Sequence, residues 1–275
     1  MQQRPNIVFY FSDQQRWDTL GCYGQRLDVT PNLDALAAGG TRYENAFTCQ
    51  PVCGPARACL QTGRYATEIG CEINGFALPF GRVKTLAQCF NEAGYATGYV
   101  GKWHLATDRL AGIDYEQSAI PAERRGGYKD YWMAADVLEF TSHGYNGYVY
   151  NADNERVPFM GYRADCINNF AIDFLHGRKE QVEPFFLFIS QIEPHHQNDR
   201  RRYEGPDGSR AQFADFQPPG DLAACSRACA QGTDVSNWRE NYPDYLGCCH
   251  SLDYNVGRLV DTLKEQGMWE NTILV

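Results

Sequence analysis

The chain has 275 residues, 43% of them hydrophobic and 21% charged, enough to bury the core of one large α/β domain or two small ones. A net charge of −9 and a pI near 5.2 exclude a general nucleic-acid binder, although local Arg and Lys can reverse the field inside a cleft that takes an anion. No run approaches ~18 consecutive apolar residues, so no transmembrane helix is expected.

Met1-Gln2-Gln3-Arg4-Pro5 leads straight into an apolar strand, Asn6–Phe11, too short and wrongly flanked for a signal peptide. The expected location is the cytoplasm, unless a leader has been removed from a periplasmic or secreted protein. The 11 cysteines are an odd number in a chain too large to need staples, and read as reduced, mostly buried thiols. Cys225/Cys229 and Cys248-Cys249 lack zinc-site spacing and read as structural.

Taken in order, Thr30 is placed as the N-cap of a helix beginning at Pro31 and stopped by Gly39-Gly40. Residues 41–48 read as a strand, 55–61 as a helix ended by Gly63, 85–92 as a helix and 95–101 as a strand. Residues 106–160, rich in Gly, Tyr, Asp and Arg, read as long loops and short strands laid over the core. A helix at 162–176, a buried strand at 184–192, loop at 205–241, a long amphipathic helix at 244–266 and a strand at 271–275 complete the pattern. Strands alternating with helices imply an α/β fold, a central mostly parallel mixed sheet flanked by helices on both faces. Ligands on such sheets sit at the carboxyl ends of the strands. Asp13 and Gln14 follow the first strand, Lys102 and His104 the strand ending at Gly101, and Glu193, His195 and His196 the strand ending near Ile192.

The sharpest motif is Cys53-Gly54-Pro55-Ala56-Arg57, followed by Thr62-Gly63-Arg64. Read locally, it puts Cys53 just before a helix N-terminus, where open N–H groups favour an anion, with Arg57 able to turn back toward the nucleophile. The motif resembles the signature of the type I sulfatases, in the alkaline phosphatase superfamily. The resemblance implies that a maturation enzyme oxidises Cys53 to formylglycine, an aldehyde whose hydrate has two hydroxyls. One attacks sulfur; the other later expels sulfate by re-forming the aldehyde.

Three further segments are similar to the family. Asp13-Gln14 resembles its first metal-binding segment, where many members carry two consecutive Asp; a Gln oxygen still ligates a hard cation with one charge fewer. The expected metal ligands are therefore Asp13, Gln14 and modified Cys53, and the ion Ca²⁺, with Mg²⁺ or Mn²⁺ as alternatives. Gly101-Lys102-Trp103-His104-Leu105 implies that Lys102 neutralises sulfate oxygens and that His104 steers or deprotonates a formylglycine hydroxyl. Pro194-His195 implies that His195 binds sulfate and helps protonate the leaving alcohol, with His196 lining the pocket. The helix around Asp253 and Val256-Gly257-Arg258 implies scaffold.

The resemblance runs from Arg4 to Val275 and implies one catalytic domain, with loop-rich insertions at 106–160 and 197–241. In the family, a strand like 271–275 leads into Ser-Asp-His-Gly, which completes the metal shell, and then to a smaller C-terminal domain. The expectation is therefore a partial metal shell, weak metal binding and little turnover from this chain alone.

The expected function is hydrolysis of a sulfate monoester, of a sulfated carbohydrate or a small aryl or alkyl sulfate. Partners would be that ester and the maturation enzyme, with no nucleic acid and no membrane. Alternatives are a phosphonate monoester or phosphodiester hydrolase using the same group, a non-catalytic sulfatase-like protein, and a Cys-His hydrolase pairing Cys53 with His104 or His195.

Overall fold

The computed structural model describes residues 4–221 and 238–275. The strands are β1 (Asn6–Phe11), β2 (Ala96–Lys102), β3 (Tyr131–Ala135), β4 (Tyr145–Tyr150), β5 (Arg156–Tyr162), β6 (Phe185–Ser190) and β7 (Thr272–Leu274). The helices are α1 (Pro31–Gly39), α2 (Cys53–Thr62), α3 (Ala66–Ile69), α4 (Leu86–Glu92), α5 (Leu138–Thr141), α6 (Arg163–Gly177), α7 (Ser209–Gln212) and α8 (Trp238–Glu265). Two compact units emerge. The first comprises the chain up to Phe11, Tyr43–Gln191 and Leu259–Val275; the second comprises Ser12–Arg42 and Ile192–Arg258. Among the described residues no helix is long and apolar enough to cross a membrane.

The first unit holds a seven-stranded mixed sheet in the order β5-β4-β3-β2-β6-β1-β7, flanked by helices. The five strands from β3 to β7 in that order run parallel; β4 and β5 are antiparallel to their neighbours. Strand β6 explains why its sequence is apolar without alternation. Phe185 packs edge-on to Phe174 of α6, while the next residue, Phe186, stacks on Phe90 of α4. Successive side chains thus point into two covered faces. Phe188 continues the α4 face, stacked between Phe9 and Tyr99 in a cluster with Trp103 and Trp132. Register sets the ends level: Phe11 and Gly101 both pair with Ser190. Gly101 is required there, because a Cβ would fall against the Ser190 carbonyl oxygen and φ is +103°.

The second unit has its own smaller core of Val29, Phe213, Tyr242, Tyr245, Leu246 and Cys249. Its helix α1 starts after Thr30 as expected, but Thr30 does not cap it. The Thr30 hydroxyl is turned to Gly21 N and Asp34 instead. Buried Asp253 accepts from the backbone N–H groups of Asn32 and Leu33, which gives the residue singled out as scaffold a definite task.

Several sequence expectations need correction. Residues 41–48 form no strand. All are exposed, so their apolar side chains have no face to bury. The stretch 106–160 is more regular than expected, because β3, β4 and β5 extend the sheet. Helix α8 begins at Trp238 rather than 244, with Pro243 inside its second turn, where a missing N–H costs one bond near the open end. Cys248 and Cys249 are buried thiols, whereas Cys225, Cys229 and the central part of the 205–241 loop lie outside the described residues.

Candidate active site

Within the sheet unit the motif residues converge at the carboxyl ends of β2 and β6. Cys53 is the first residue of α2 and partly buried; Val52 is the N-cap and Gly63, at φ +65°, ends the helix. Gly54 backs onto the His104 carbonyl, 3.5 Å from where a Cβ would stand. Arg57 lies one turn beyond Cys53 on the same helix face and is 3% exposed. Its Nη1 donates to the Lys102 carbonyl at 2.8 Å and to Ser190 Oγ, and the guanidinium sits 5.3 Å over the Phe11 ring. The Lys102 carbonyl also accepts from Tyr99 Oη at 2.6 Å and Ser190 Oγ at 2.7 Å. Burial pushes the Tyr99 hydroxyl up from its ordinary value, so it stays a donor.

One expectation for this site fails. The helix start does not offer an open row of N–H groups. Gly54 N donates to Asn74 Oδ1 at 2.8 Å, Pro55 has no N–H, and Ala56 N bonds the Val52 carbonyl at 2.9 Å. Positive charge at this end of the sheet comes from side chains. Lys102 is fully buried, and its Nζ pairs with Glu139 at 3.2 Å, the two side chains being 0% and 6% exposed.

The segment after Lys102 is clamped by Asp136, just past the end of β3. Its carbonyl accepts from His104 N at 2.7 Å, and its carboxylate accepts from the N–H groups of Leu105, Ala106 and Thr107 at 2.9–3.0 Å. Burial pushes the Asp136 carboxyl up, while these three N–H groups pull it back. The clamp holds His104 at φ +58°, a conformation a histidine rarely adopts.

Asn74, Asp136, Glu139 and Ser190 were assigned no role from sequence. Asp136 has a signal in retrospect, a polar residue directly after a strand. Glu139 has none, being the second residue of a four-residue helix.

In the second unit, Asp13 is 8% exposed, and its N–H donates to the Glu193 carbonyl at 3.2 Å. Gln14 stands at φ +67°. Tyr245 Oη donates to the Gln14 carbonyl at 2.9 Å and accepts from Arg16 N at 2.7 Å; burial pushes that phenol well up, so it remains protonated. Gln14 Oε1 accepts from His196 N at 3.0 Å, which leaves the amide oxygen a second lone pair. His195 Nδ1 lies 2.6 Å from the His196 carbonyl. A carbonyl only accepts, so Nδ1 carries the proton and Nε2 the lone pair in the neutral ring. Asp13 and Gln14 together offer hard oxygen donors that suit Ca²⁺, Mg²⁺ or Mn²⁺. The His196 ring, 3.2 Å from Asn198 Oδ1 and edge-on to Tyr203, belongs to the same cluster.

Comparison with known proteins identifies this pattern. The profile of the sulfatase family, described simply as Sulfatase, matches residues 5–275. The uncharacterized sulfatase YidJ of Escherichia coli strain K12 is 33% identical over 99% of this chain and 56% of its own length. An ulvan-active sulfatase of Formosa agariphila is 34% identical over 99% of this chain and 49% of its own. The solved structure of the yidJ protein of Bacteroides fragilis superposes with a TM-score of 0.81 at 29% identity, covering 100% of this chain and 62% of that one. The chain thus spans about half the length of the curated relatives it matches.

Proposed function

The chain belongs to the sulfatase family, and from that premise we propose that it carries the nucleophile of a site that hydrolyses sulfate monoesters of a carbohydrate. The observation that carries the reading is the packing of Gly54 against His104, with Arg57 bound to the Lys102 carbonyl. These contacts bring two segments of the motif set, 53–57 and 102–104, to one end of the sheet. The carbohydrate class is supported by the ulvan-active relative.

Cys53, as formylglycine, supplies a hydrated aldehyde able to form and release a sulfate ester. A divalent cation, Ca²⁺ before Mg²⁺ or Mn²⁺, would supply Lewis acidity, and Asp13 and Gln14 would offer it oxygen ligands. The remaining roles belong to side chains. Arg57, immobilised by Lys102 O and Ser190, fixes the start of α2 and adds positive charge beside residue 53. Lys102 presents an ammonium to sulfate oxygens as charge develops. His104, held by the Asp136 clamp, accepts or steers a proton at the residue 53 hydroxyl. His195, when both ring nitrogens are protonated, donates its Nε2 proton to the leaving alcohol while Nδ1–H stays on the His196 carbonyl. A maturation enzyme that converts Cys53 is a necessary partner of this reading.

Rates on an aryl sulfate and on the matching aryl phosphonate monoester test it, with protein co-expressed with a maturation enzyme. The expected result is a kcat/KM at least ten-fold higher for the sulfate, about 1.4 kcal/mol of discrimination. Faster turnover of the phosphonate would transfer the site to phosphonate hydrolysis, for which the missing second carboxylate at Gln14 would be the structural reason.

A further inference from the structure

The ammonium assigned to the ester oxygens has a carboxylate beside it. Lys102 Nζ lies 3.2 Å from Glu139 Oε1, with both side chains buried. Glu139 is the second residue of α5, a four-residue helix whose Leu138 and Thr141 are also buried while Phe140 is 46% exposed. Strand β3 pairs with β2 up to Ala135 and Lys102, and Asp136 and α5 come next in the chain. One short segment thus brings two carboxylates to the strand end that carries Lys102.

The two acids do different work. The Asp136 carboxylate accepts from three backbone N–H groups and so holds the segment after His104. Glu139 meets a side-chain ammonium. A buried ion pair is weak evidence for stability, because desolvating both ions offsets most of their attraction. An apolar pair of similar volume would pack this sheet end as well. What the ion pair supplies, and an apolar pair would not, is a fixed negative charge next to the group that meets the substrate.

Charge is where the candidate esters differ. A sulfate monoester carries one negative charge, and so does a phosphonate monoester. A phosphate monoester has the same tetrahedral shape, but its second proton leaves at about pH 6, so it carries close to two charges at about pH 8. Each further charge on the ester is drawn to Lys102 and repelled by Glu139. With the two unit charges so close together, the attraction is largely cancelled.

We propose, resting on the sulfate reading, that Glu139 is a positioning residue that acts through Lys102 and sets the site for singly charged esters against doubly charged ones. The nucleophile and a divalent cation would not by themselves reject a phosphate monoester; the Glu139 carboxylate does. Glu139→Gln leaves the Lys102 charge uncompensated, and the second charge of a phosphate then gains what the carboxylate had cancelled. For a charge within about 7 Å of the carboxylate, that gain is roughly ten-fold or more in affinity at the effective dielectric of a partly buried site.

The effect is read by calorimetry with phenyl sulfate, phenyl phosphate and phenyl methylphosphonate at about pH 8, on the full chain with Ca²⁺ and with Cys53→Ala to stop turnover. Adding Glu139→Gln should raise phosphate affinity relative to sulfate at least about ten-fold and leave the phosphonate-to-sulfate ratio within about two-fold. A purely structural role would move all three esters together. A second measurement needs no substitution at 139. On the Cys53→Ala parent, phenyl phosphate should bind more weakly relative to phenyl sulfate as pH rises from about 5 to about 8, because its second proton leaves in that range. If the parent prefers the phosphonate, the sulfate reading fails, while the Glu139 effect is still read between phosphonate and phosphate. A phosphate-to-sulfate ratio unchanged by Glu139→Gln, or flat with pH in the parent, would overturn the proposal.

Discussion

The two compact units hold their functional groups in opposite ways. In the sheet unit Arg57 and Lys102 are 3% and 0% exposed, and every strand that reaches them is packed on both faces. In the second unit His195 and His196 are partly exposed, Gln14 is exposed, and the three are fixed by hydrogen bonds to near neighbours and to one tyrosine. Burial fixes an ammonium or guanidinium only if a counter-charge or carbonyl is buried with it. Turn geometry fixes an imidazole or amide cheaply and leaves it accessible. The difference predicts that substitutions in the first unit are read first as lost stability, and those in the second first as lost affinity or proton transfer.

Lys102→Met should break the comparison most severely, because it leaves the Glu139 carboxylate in the interior without its ammonium. The expected loss is about 3–5 kcal/mol of unfolding free energy by denaturant titration. Adding Glu139→Gln should restore most of it. A single variant as stable as wild type would show that the pair is solvated.

Asp136→Asn should follow. Oδ1 accepts from Leu105 and Ala106 and Oδ2 from Thr107, so turning either oxygen into an NH₂ group sets donor against donor, at an expected cost of about 2–3 kcal/mol, with a fall in kcat as His104 leaves its φ +58° position. If stability falls and kcat does not, the clamp is structural only.

Tyr245→Phe removes one hydroxyl that both donates to the Gln14 carbonyl and accepts from Arg16 N. A loss of about 1 kcal/mol is expected, with a larger proportional change in Ca²⁺ affinity by calorimetry. An unchanged Kd would separate Gln14 from the metal. Gln14→Asp should sharpen the same contrast by tightening Ca²⁺ at nearly constant stability, through the added charge.

Arg64→Ala should do least. Although Arg64 belongs to the signature motif, it is exposed and pairs with Glu68 four residues on, so a change within about 0.5 kcal/mol is expected.

What was legible in the sequence follows the same division. Strands β1 and β6 could be read because covered faces demand unbroken apolar runs, and the helix expected at 85–92 is α4, which a capping box of Thr85 and Gln88 starts. Strands β4 and β5 were blurred by glycine and tyrosine toward the edge of the sheet, where one face need not be apolar. The helix expected from 244 starts six residues earlier, with Pro243 inside it. Residues 41–48 showed strand composition without a partner to pair with. At the site, the sequence marks Lys102 and His104 because motif and strand end coincide, and Cys53 and Arg57 because the motif begins α2. Glu139 was not, since nothing local marks a carboxylate whose value lies in a lysine far along the chain. The occupied N–H groups at the start of α2 were invisible for the same reason: Asn74 comes from another segment.

The account stands on the chemical state of residue 53. The decisive measurement is the mass of the peptide carrying that residue, taken on the same preparation in which sulfate release is assayed. Activity should rise in proportion to the fraction whose CH₂SH group has become an aldehyde, and vanish in Cys53→Ala. Full turnover from protein whose residue 53 is entirely thiol would contradict it.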